Sequence, residues 1–426
     1  MPNSIPTHRQ RTKGMQRIDL AYAELASSEV VRDMNRDVVL ELIRTRQPIS
    51  RADLSRSTGL QPSTISSIAE QLIGERWVIE GPAAVRPRGR RPTLLSINPG
   101  MVIVVADVRP NQAIVGVVDL NGRFLSRESL PLLADPERGV RNLIACIQRL
   151  MPEHPDKSFE GLGIILPGRV DPTSEQLILA PNLPWAGYDI KKAIQAAIPL
   201  QVEMDNDANA CMLAELWFGR MEGIRNAVLV TITEGVGAAI LANGQLLTGR
   251  SGLAGEFGHL CLDPNGPLCG CGRKGCWEVF ASTRAAIGYF QQRHPDLPAP
   301  TVLELINLAE DGNATAIAAL ERQALYLGQG LRIIVTALSP EVVLLNGGLT
   351  SSWGRFGPIV EAELANSMLS GPPPRIVVTS DVELARLRGA AALVLQRHAG
   401  YSRSNASDGK PVRRKRSTDA TPAAKR

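Results

Sequence analysis

No apolar run in these 426 residues approaches the roughly 20 consecutive residues that a bilayer-crossing helix needs. The opening stretch, Met1 to Gly14, is polar and has no apolar signal core. These two absences leave no membrane partner and point to the cytoplasm. Cysteine is scarce too: of six in the chain, three fall within eight residues and three are scattered at Cys146, Cys211 and Cys261. That distribution speaks against a disulfide framework and fits a reducing compartment. A large charge excess is also missing, the net being +5, but the balance is uneven along the chain. Residues 1–95 hold 15 Lys and Arg against 10 Asp and Glu, residues 401–426 hold 8 against 2, and the middle holds 24 against 30. An acidic body between two basic ends suggests a nucleic acid for the ends and a small or neutral partner for the body. At this length two or three domains are expected.

The densest stretch of chemistry runs from Gly255 to Ser282. His259, Cys269, Cys271 and Cys276 stand ten, two and five residues apart in a glycine-rich loop. One imidazole and three thiolates suit a closed tetrahedral zinc, one per chain, which shapes the loop and leaves no position for a catalytic water. Cys261, two residues past His259, is a spare ligand set aside as a small apolar filler. Glu256 and Glu278 flank the loop, placing carboxylates on either side of a metal-fixed scaffold. Fixed carboxylates suit a sugar, whose hydroxyls need acceptors. A metal-bound histidine can serve twice, because its second ring nitrogen is still able to hydrogen-bond.

The amino-terminal region reads differently. Ile18 to Val31 carries a weak helical pattern. From Asn35, Val38, Val39, Leu42 and Ile43 recur at helical spacing until Pro48. Ser50 is placed to cap a second helix that stops at Gly59, and Pro62 opens a third whose buried stripe is Ile65, Ile68, Leu72 and Ile73. This is a helix-turn-helix pattern. The third helix would be the recognition helix, presenting Gln61, Ser63, Thr64, Ser66 and Ser67, short hydrogen-bonding side chains suited to phosphates and base edges. Trp77–Glu80 and Pro92–Ile97 read as wing strands, and between them Arg86, Arg88, Arg90 and Arg91 alternate with proline and glycine in a form suited to a narrow minor groove. One such unit rarely gives specific affinity alone, so the expected partner is a double-stranded operator bound by a homodimer or homotetramer. The resulting division is an extension at 1–30, a winged helix-turn-helix at 31–97, a body at 98–400 and a disordered basic tail at 401–426.

Gly255-Glu256-Phe257-Gly258-His259, Cys269-Gly270-Cys271-Gly272 and Gly275-Cys276-Trp277-Glu278 together resemble the signature of the ROK family of sugar-responsive repressors and bacterial-type sugar kinases. The resemblance extends over roughly residues 96 to 400 and implies an α/β, two-lobed, actin-like body. The head is also similar to the winged helix that precedes the body in ROK repressors. The resemblance further implies sugar contacts at Gly168 and Arg169, in Leu166-Pro167-Gly168-Arg169-Val170, and at Asn206 and Asp207, in Asp205-Asn206-Asp207-Ala208. Asp207 matches the kinases' general base, and Glu256, His259 and Glu278 complete the expected sugar set.

The two phosphate loops of the kinases are altered here. Their Asp-x-Gly-Gly-Thr corresponds to Asp107-Val108-Arg109-Pro110-Asn111, which has neither glycine and gains a proline. Their Gly-Thr-Gly-x-Gly corresponds to Thr233-Glu234-Gly235-Val236-Gly237, which sets a carboxylate where a polyphosphate would lie. The expectation is therefore a non-enzymatic, sugar-responsive DNA-binding regulator of carbohydrate genes, with family resemblance favouring a repressor over an activator. Two other readings remain: an ATP-dependent sugar kinase with an added DNA-binding head, and a regulator whose body docks a protein.

Overall fold

A computed structural model describes residues 28–83, 93–219, 221, 223–365, 372–379 and 381–398. The wing arginines Arg86, Arg88, Arg90 and Arg91, the tail from 401 and the extension before Ser28 lie outside the described residues.

The head contains α1 (Ser28–Arg46), β1 (Ile49–Ser50), α2 (Arg51–Thr58), α3 (Pro62–Gly74), β2 (Val78–Ala83) and β3 (Thr93–Ile97). The punctuation marks in the sequence act as expected. Ser50 caps α2 by accepting the Asp53 N–H at 3.2 Å, Gly59 ends it in a left-handed conformation at φ 73°, and Pro62 occupies the first turn of α3. Helix α1 starts at Ser28, so the last residues of the weak pattern join it. Its buried face is Val39, Leu40 and Ile43, with Val38 exposed, a rotation of the stripe expected from spacing. The wing strands pair antiparallel, and a third strand, β1, adds to them in the order β1-β3-β2. Two residues long, β1 carries no periodicity from which it could be foreseen.

The first lobe runs through β4 (Met101–Val108), β5 (Gln112–Asp119), β6 (Phe124–Pro131), α4 (Pro136–Leu150), β7 (Ser158–Leu166), β8 (Arg169–Val170), β9 (Leu177–Leu179), α5 (Ile190–Gln195), β10 (Val202–Asn206) and α6 (Asp207–Phe218). The second runs through β11 (Ala227–Ile232), β12 (Val236–Ala242), β13 (Gln245–Leu247), α7 (Glu278–Ala281), α8 (Thr283–Gln291), α9 (Val302–Glu310), α10 (Ala314–Leu338), β14 (Val342–Gly347), α11 (Trp353–Ala365), β15 (Arg375–Thr379) and α12 (Val382–His398).

Both lobes are built on one plan. The first sheet has the order β10-β7-β4-β5-β6 and the second β15-β14-β11-β12-β13. In each, an antiparallel meander of three strands is followed by two strands parallel to its first member. This repeated mixed sheet with helices packed against it is the two-lobed, actin-like architecture expected. Strand β4 is buried along its whole length because both faces are covered: Val102, Val104 and Ala106 meet the layer holding α4, while Ile103 and Val105 meet α6 and α12. Helix α12, last among the described residues, returns to the first lobe. It lies so close to β7 that a Cβ on Gly163 would come within 1.8 Å of the Ala390 carbonyl oxygen.

Head and body share one core. Val39, Leu40, Ile43, Leu72 and Leu95 belong to the same buried cluster as Ile103, Leu213, Leu387 and Ala390. Polar contacts add to it: Gln47 donates to Asn121 Oδ1 at 2.8 Å and accepts the Ile97 N–H at 2.9 Å, and the Arg44 guanidinium lies over the Trp217 ring at 5.5 Å.

Candidate sugar cleft and metal loop

A cleft of about 360 Å³ opens between the lobes, toward the small end of the range for small-molecule sites. Six of the seven expected sugar residues line it: Gly168, Asn206, Asp207, Glu256, His259 and Glu278. The seventh, Arg169, opens β8 beside Gly168 without lining the cleft, and its charge acts on Glu256. Gly168 has φ 89° and approaches β9 closely; a Cβ there would fall 2.1 Å from the Leu179 carbonyl oxygen.

Asn206 and Asp207 stand where β10 passes into α6. Asn206 is the N-cap, accepting the Asn209 N–H at 2.8 Å, so the cap and the cleft wall are one feature. Asp207 Oδ1 accepts the Ala208 N–H at 2.9 Å. Its Oδ2 accepts from Arg386 Nη1 at 2.6 Å.

Arg386 was not foreseen, and it dominates this end of the cleft. It is 5% exposed, and its Nε and Nη2 donate to the fully buried Asp107 at 2.7 to 3.0 Å. Arg109 adds an Nε bond to Asp107 Oδ2 at 2.7 Å. Burial acts to raise the Asp107 pKa, and the Arg386 and Arg109 guanidiniums outweigh it, holding the carboxyl below its ordinary value. Burial likewise acts to lower the Arg386 pKa, and Asp107 and Asp207 together raise it instead. The turn that carries Arg109 is tight, Arg109 N–H donating to the Gln112 carbonyl at 2.8 Å. Arg109 and Pro110 line the cleft where the sequence comparison puts the first phosphate loop. The available signal was the pair Arg386 and Arg388 in an otherwise Ala- and Leu-rich helix, where a guanidinium needs a buried partner.

The second hairpin turn, Thr233 to Val236, is held by Glu278, whose Oε2 accepts the Val236 N–H at 3.2 Å. Glu234 lines the cleft, and its carbonyl accepts from Arg284 at 3.1 Å. Glu278 therefore works partly as a strut between this turn and the loop behind it, where Cys269 Sγ lies 3.7 Å from its Oε1.

In that loop His259, Cys269, Cys271 and Cys276 offer four ligand atoms all within 4.8 Å of one another. Cys269 Sγ is 3.6 Å from His259 Nδ1, and Cys271 Sγ is 3.6 Å from Cys276 Sγ. Two sulfurs bound to one tetrahedral zinc at 2.3 Å would stand about 3.8 Å apart, so the donor set fits a metal of that kind. The backbone braces it: Cys269 N–H donates to Arg273 O at 2.7 Å and Gly275 N–H to Pro267 O at 2.8 Å. Cys261 is outside the group, with its thiol toward the Lys274 carbonyl. The atom of His259 that faces Cys269 is Nδ1, while Nε2 lies 3.7 Å from Glu256 Oε2 on the cleft side. Burial raises the Glu256 pKa above its ordinary value, with His259 and Arg169 opposing.

On the head, Gln61, Ser63, Thr64 and Ser67 are exposed along one side of α3, and Ser66 is half-buried with its hydroxyl donating to the Pro62 carbonyl at 2.9 Å.

The profile of the ROK family matches residues 107–397. The chain is 33% identical over 333 residues to the xylose repressor of Bacillus subtilis, covering 77% of this chain and 86% of that one. The crystal structure of a ROK family transcriptional regulator, a homolog of the Escherichia coli MLC protein, is similar with a TM-score of 0.75 at 26% identity, over 87% of this chain and 98% of that one. A ROK family glucokinase from Streptomyces griseus, solved with glucose and AMPPNP, is similar with a TM-score of 0.63 at 27% identity, over 69% of this chain and 99% of the glucokinase.

Proposed function

This chain belongs to the ROK family, and from that premise we propose that it is a sugar-responsive, DNA-binding transcriptional repressor of carbohydrate genes. Residues 31–97 form the DNA reader, and residues 98–400 form a kinase-like body that binds sugar. The observation that carries this reading is the shared core: the head lies in one buried cluster with residues of α6 and α12, the helices that bring Asp207 and Arg386 to the cleft. The glucokinase is matched almost to its full length by 69% of this chain, whereas the regulator accounts for 87% of it.

In this reading the sugar sits against Gly168, Asn206, Asp207, Glu256, His259 and Glu278, with Arg169 behind. Asp207, Glu256 and Glu278 surround it with carboxylates, which favours a neutral, unphosphorylated monosaccharide or its N-acetylated relative. The two guanidiniums that line the cleft do not reverse this, since Arg386 and Arg109 already face Asp107 and Asp207. His259, Cys269, Cys271 and Cys276 hold one structural zinc, which supplies a fixed loop. His259 can then present Nε2 to the sugar beside Glu256. Phosphoryl transfer forms no part of the function. Pro110 and the Asp107–Arg109 pair support that view at one phosphate position, and Glu234 supports it at the other. The protein acts in the cytoplasm as a homodimer or homotetramer on a near-palindromic, A/T-rich operator. Gln61, Ser63, Thr64, Ser66 and Ser67 face the major groove, and Arg86, Arg88, Arg90 and Arg91 enter the minor groove.

The test is calorimetry with D-xylose, D-glucose, N-acetyl-D-glucosamine and their phosphates, run beside a coupled ADP-release assay on the same sugars. Binding of a neutral sugar with no turnover supports the reading. Robust turnover abolished by Asp207→Asn would replace it with a kinase.

A further inference from the structure

Arg386 lines the cleft, but its connections extend well past it. Three of its nitrogens are committed: Nε and Nη2 to Asp107 on β4 and Nη1 to Asp207 at the first turn of α6. It thereby joins three elements, β4, α6 and α12, at one buried point. Two residues further along α12, Arg388 Nε donates to the Gly122 carbonyl at 3.1 Å, in the turn between β5 and β6. The neighbouring Asn121 accepts from Gln47, just beyond α1. Helix α6 reaches the same place from the other side. Its 12 residues span about 18 Å, and its last turn places Trp217 under Arg44 and packs Phe218 near Gly122. The two helices are in close contact along the way, since a Cβ on Gly389 would lie 2.4 Å from the Ala210 carbonyl oxygen. Their cleft ends carry Arg386 and Asp207, and further along both helices contribute to the buried cluster that includes the head.

We propose that Arg386 is the positioning residue that reports occupation of the sugar site to the DNA-binding head, by holding Asp207 to Asp107 until a sugar hydroxyl draws Asp207 away. This rests on the sugar-responsive reading above and deepens it. Asp207 has its two oxygens tied to Ala208 N–H and to Arg386. A hydroxyl donating to Oδ2 therefore competes with Nη1 or shifts it. Because interiors are close-packed, a shift of the guanidinium is passed to α12 as a body, and α12 reaches the head through Arg388, the Gly122 turn and Gln47, and through α6, whose Trp217 lies under Arg44. The sugar thereby gains different affinities for two arrangements of head and body, which is what coupling requires.

The experiment compares the wild-type chain with Arg386→Lys, which keeps the charge and loses the fork, and with Asp107→Asn/Arg386→Met, which removes the buried charges together. Each is titrated with D-xylose, D-glucose and N-acetyl-D-glucosamine by calorimetry. Each is also titrated against a DNA duplex selected from a random pool by the wild-type chain, with and without saturating sugar. The wild-type ratio of the two operator Kd values should fall in the roughly five- to 150-fold range typical of coupled sites. The variants should still bind sugar, with that ratio reduced to within about twofold of one. A variant that binds sugar and keeps the full ratio overturns the proposal. Loss of sugar binding in both variants also overturns it, since Arg386 would then be a ligand-holding group. Should neither variant fold, hydrogen exchange on the wild-type chain decides: sugar must change exchange in residues 382–390 and 41–47, and sugar-driven release of operator without such a change contradicts the proposal. Failure of the underlying reading is recognisably different, because the wild-type chain would itself show no sugar-dependent ratio.

Discussion

The two lobes repeat one topology, but the hairpin turns at their matching positions are tied to different things. In the first lobe the turn between β4 and β5 leads inward to an ion-pair group, Arg109, Asp107, Arg386 and Asp207, that anchors α12. In the second lobe the turn between β11 and β12 is held by Glu278, which stands at the edge of the cysteine loop. One turn is therefore connected to α6 and α12, and the other to the loop whose His and Cys donor set fits a metal. A shared backbone plan does not give the two turns a shared function, because function lies in the side chains grafted onto the plan.

The comparison breaks most visibly at Arg386. Arg386→Met leaves Asp107 buried without its main partner and should destabilise the protein by about 3–5 kcal/mol, read as a fall in denaturant midpoint. Asp107→Asn/Arg386→Met should recover most of that loss, because the two most deeply buried charges of the group are removed together. The same pair sets an acid dependence. The folded pKa of Asp107 is depressed, so its contribution to stability is present above its unfolded value near pH 4 and is lost as pH falls through the folded value. The double variant should lack that part of the acid sensitivity. Equal acid unfolding curves for the two proteins would contradict the assignment.

At the second turn the matching change is Cys271→Ser. It should abolish stoichiometric zinc in elemental analysis and loosen residues 260–278 in limited proteolysis, while the head, whose core is shared with the first lobe and not with this loop, keeps its melting behaviour. Retention of one zinc per chain would remove Cys271 from the ligand set. A smaller effect is expected for Glu256→Gln, which keeps the shape and removes a charged acceptor. Sugar affinity should fall roughly tenfold, in line with about 1.5 kcal/mol for a hydrogen bond to a charged group. Operator binding without sugar should not change. An unaltered sugar isotherm would place the ligand elsewhere in the cleft.

What was legible in the sequence was local. Ser50, Gly59 and Pro62 mark helix ends by their own chemistry, and the metal group is read from four residues within 18 positions. Family resemblance named seven residues as expected sugar contacts, and six of them line one cleft. The Arg386 group was not legible, since Asp107 and Arg386 are separated by 279 positions and nothing in either segment names the other. Glu278 shows the same limit. Its place beside the metal loop is plain from sequence, but its bond to the Val236 N–H depends on how β11 and β12 fold back onto that loop. The rotation of α1, which buries Leu40 and exposes Val38, depends on what the helix packs against, α2, α3 and β3, which helical periodicity does not contain.

The most direct test of the account is a fluorescence-anisotropy titration of a wild-type-selected operator duplex, with and without the neutral sugar that binds in calorimetry and with no ATP present. The account predicts that sugar alone weakens operator binding by at least about fivefold. Operator affinity that is unchanged by saturating sugar, or that responds only when ATP is added, would contradict it.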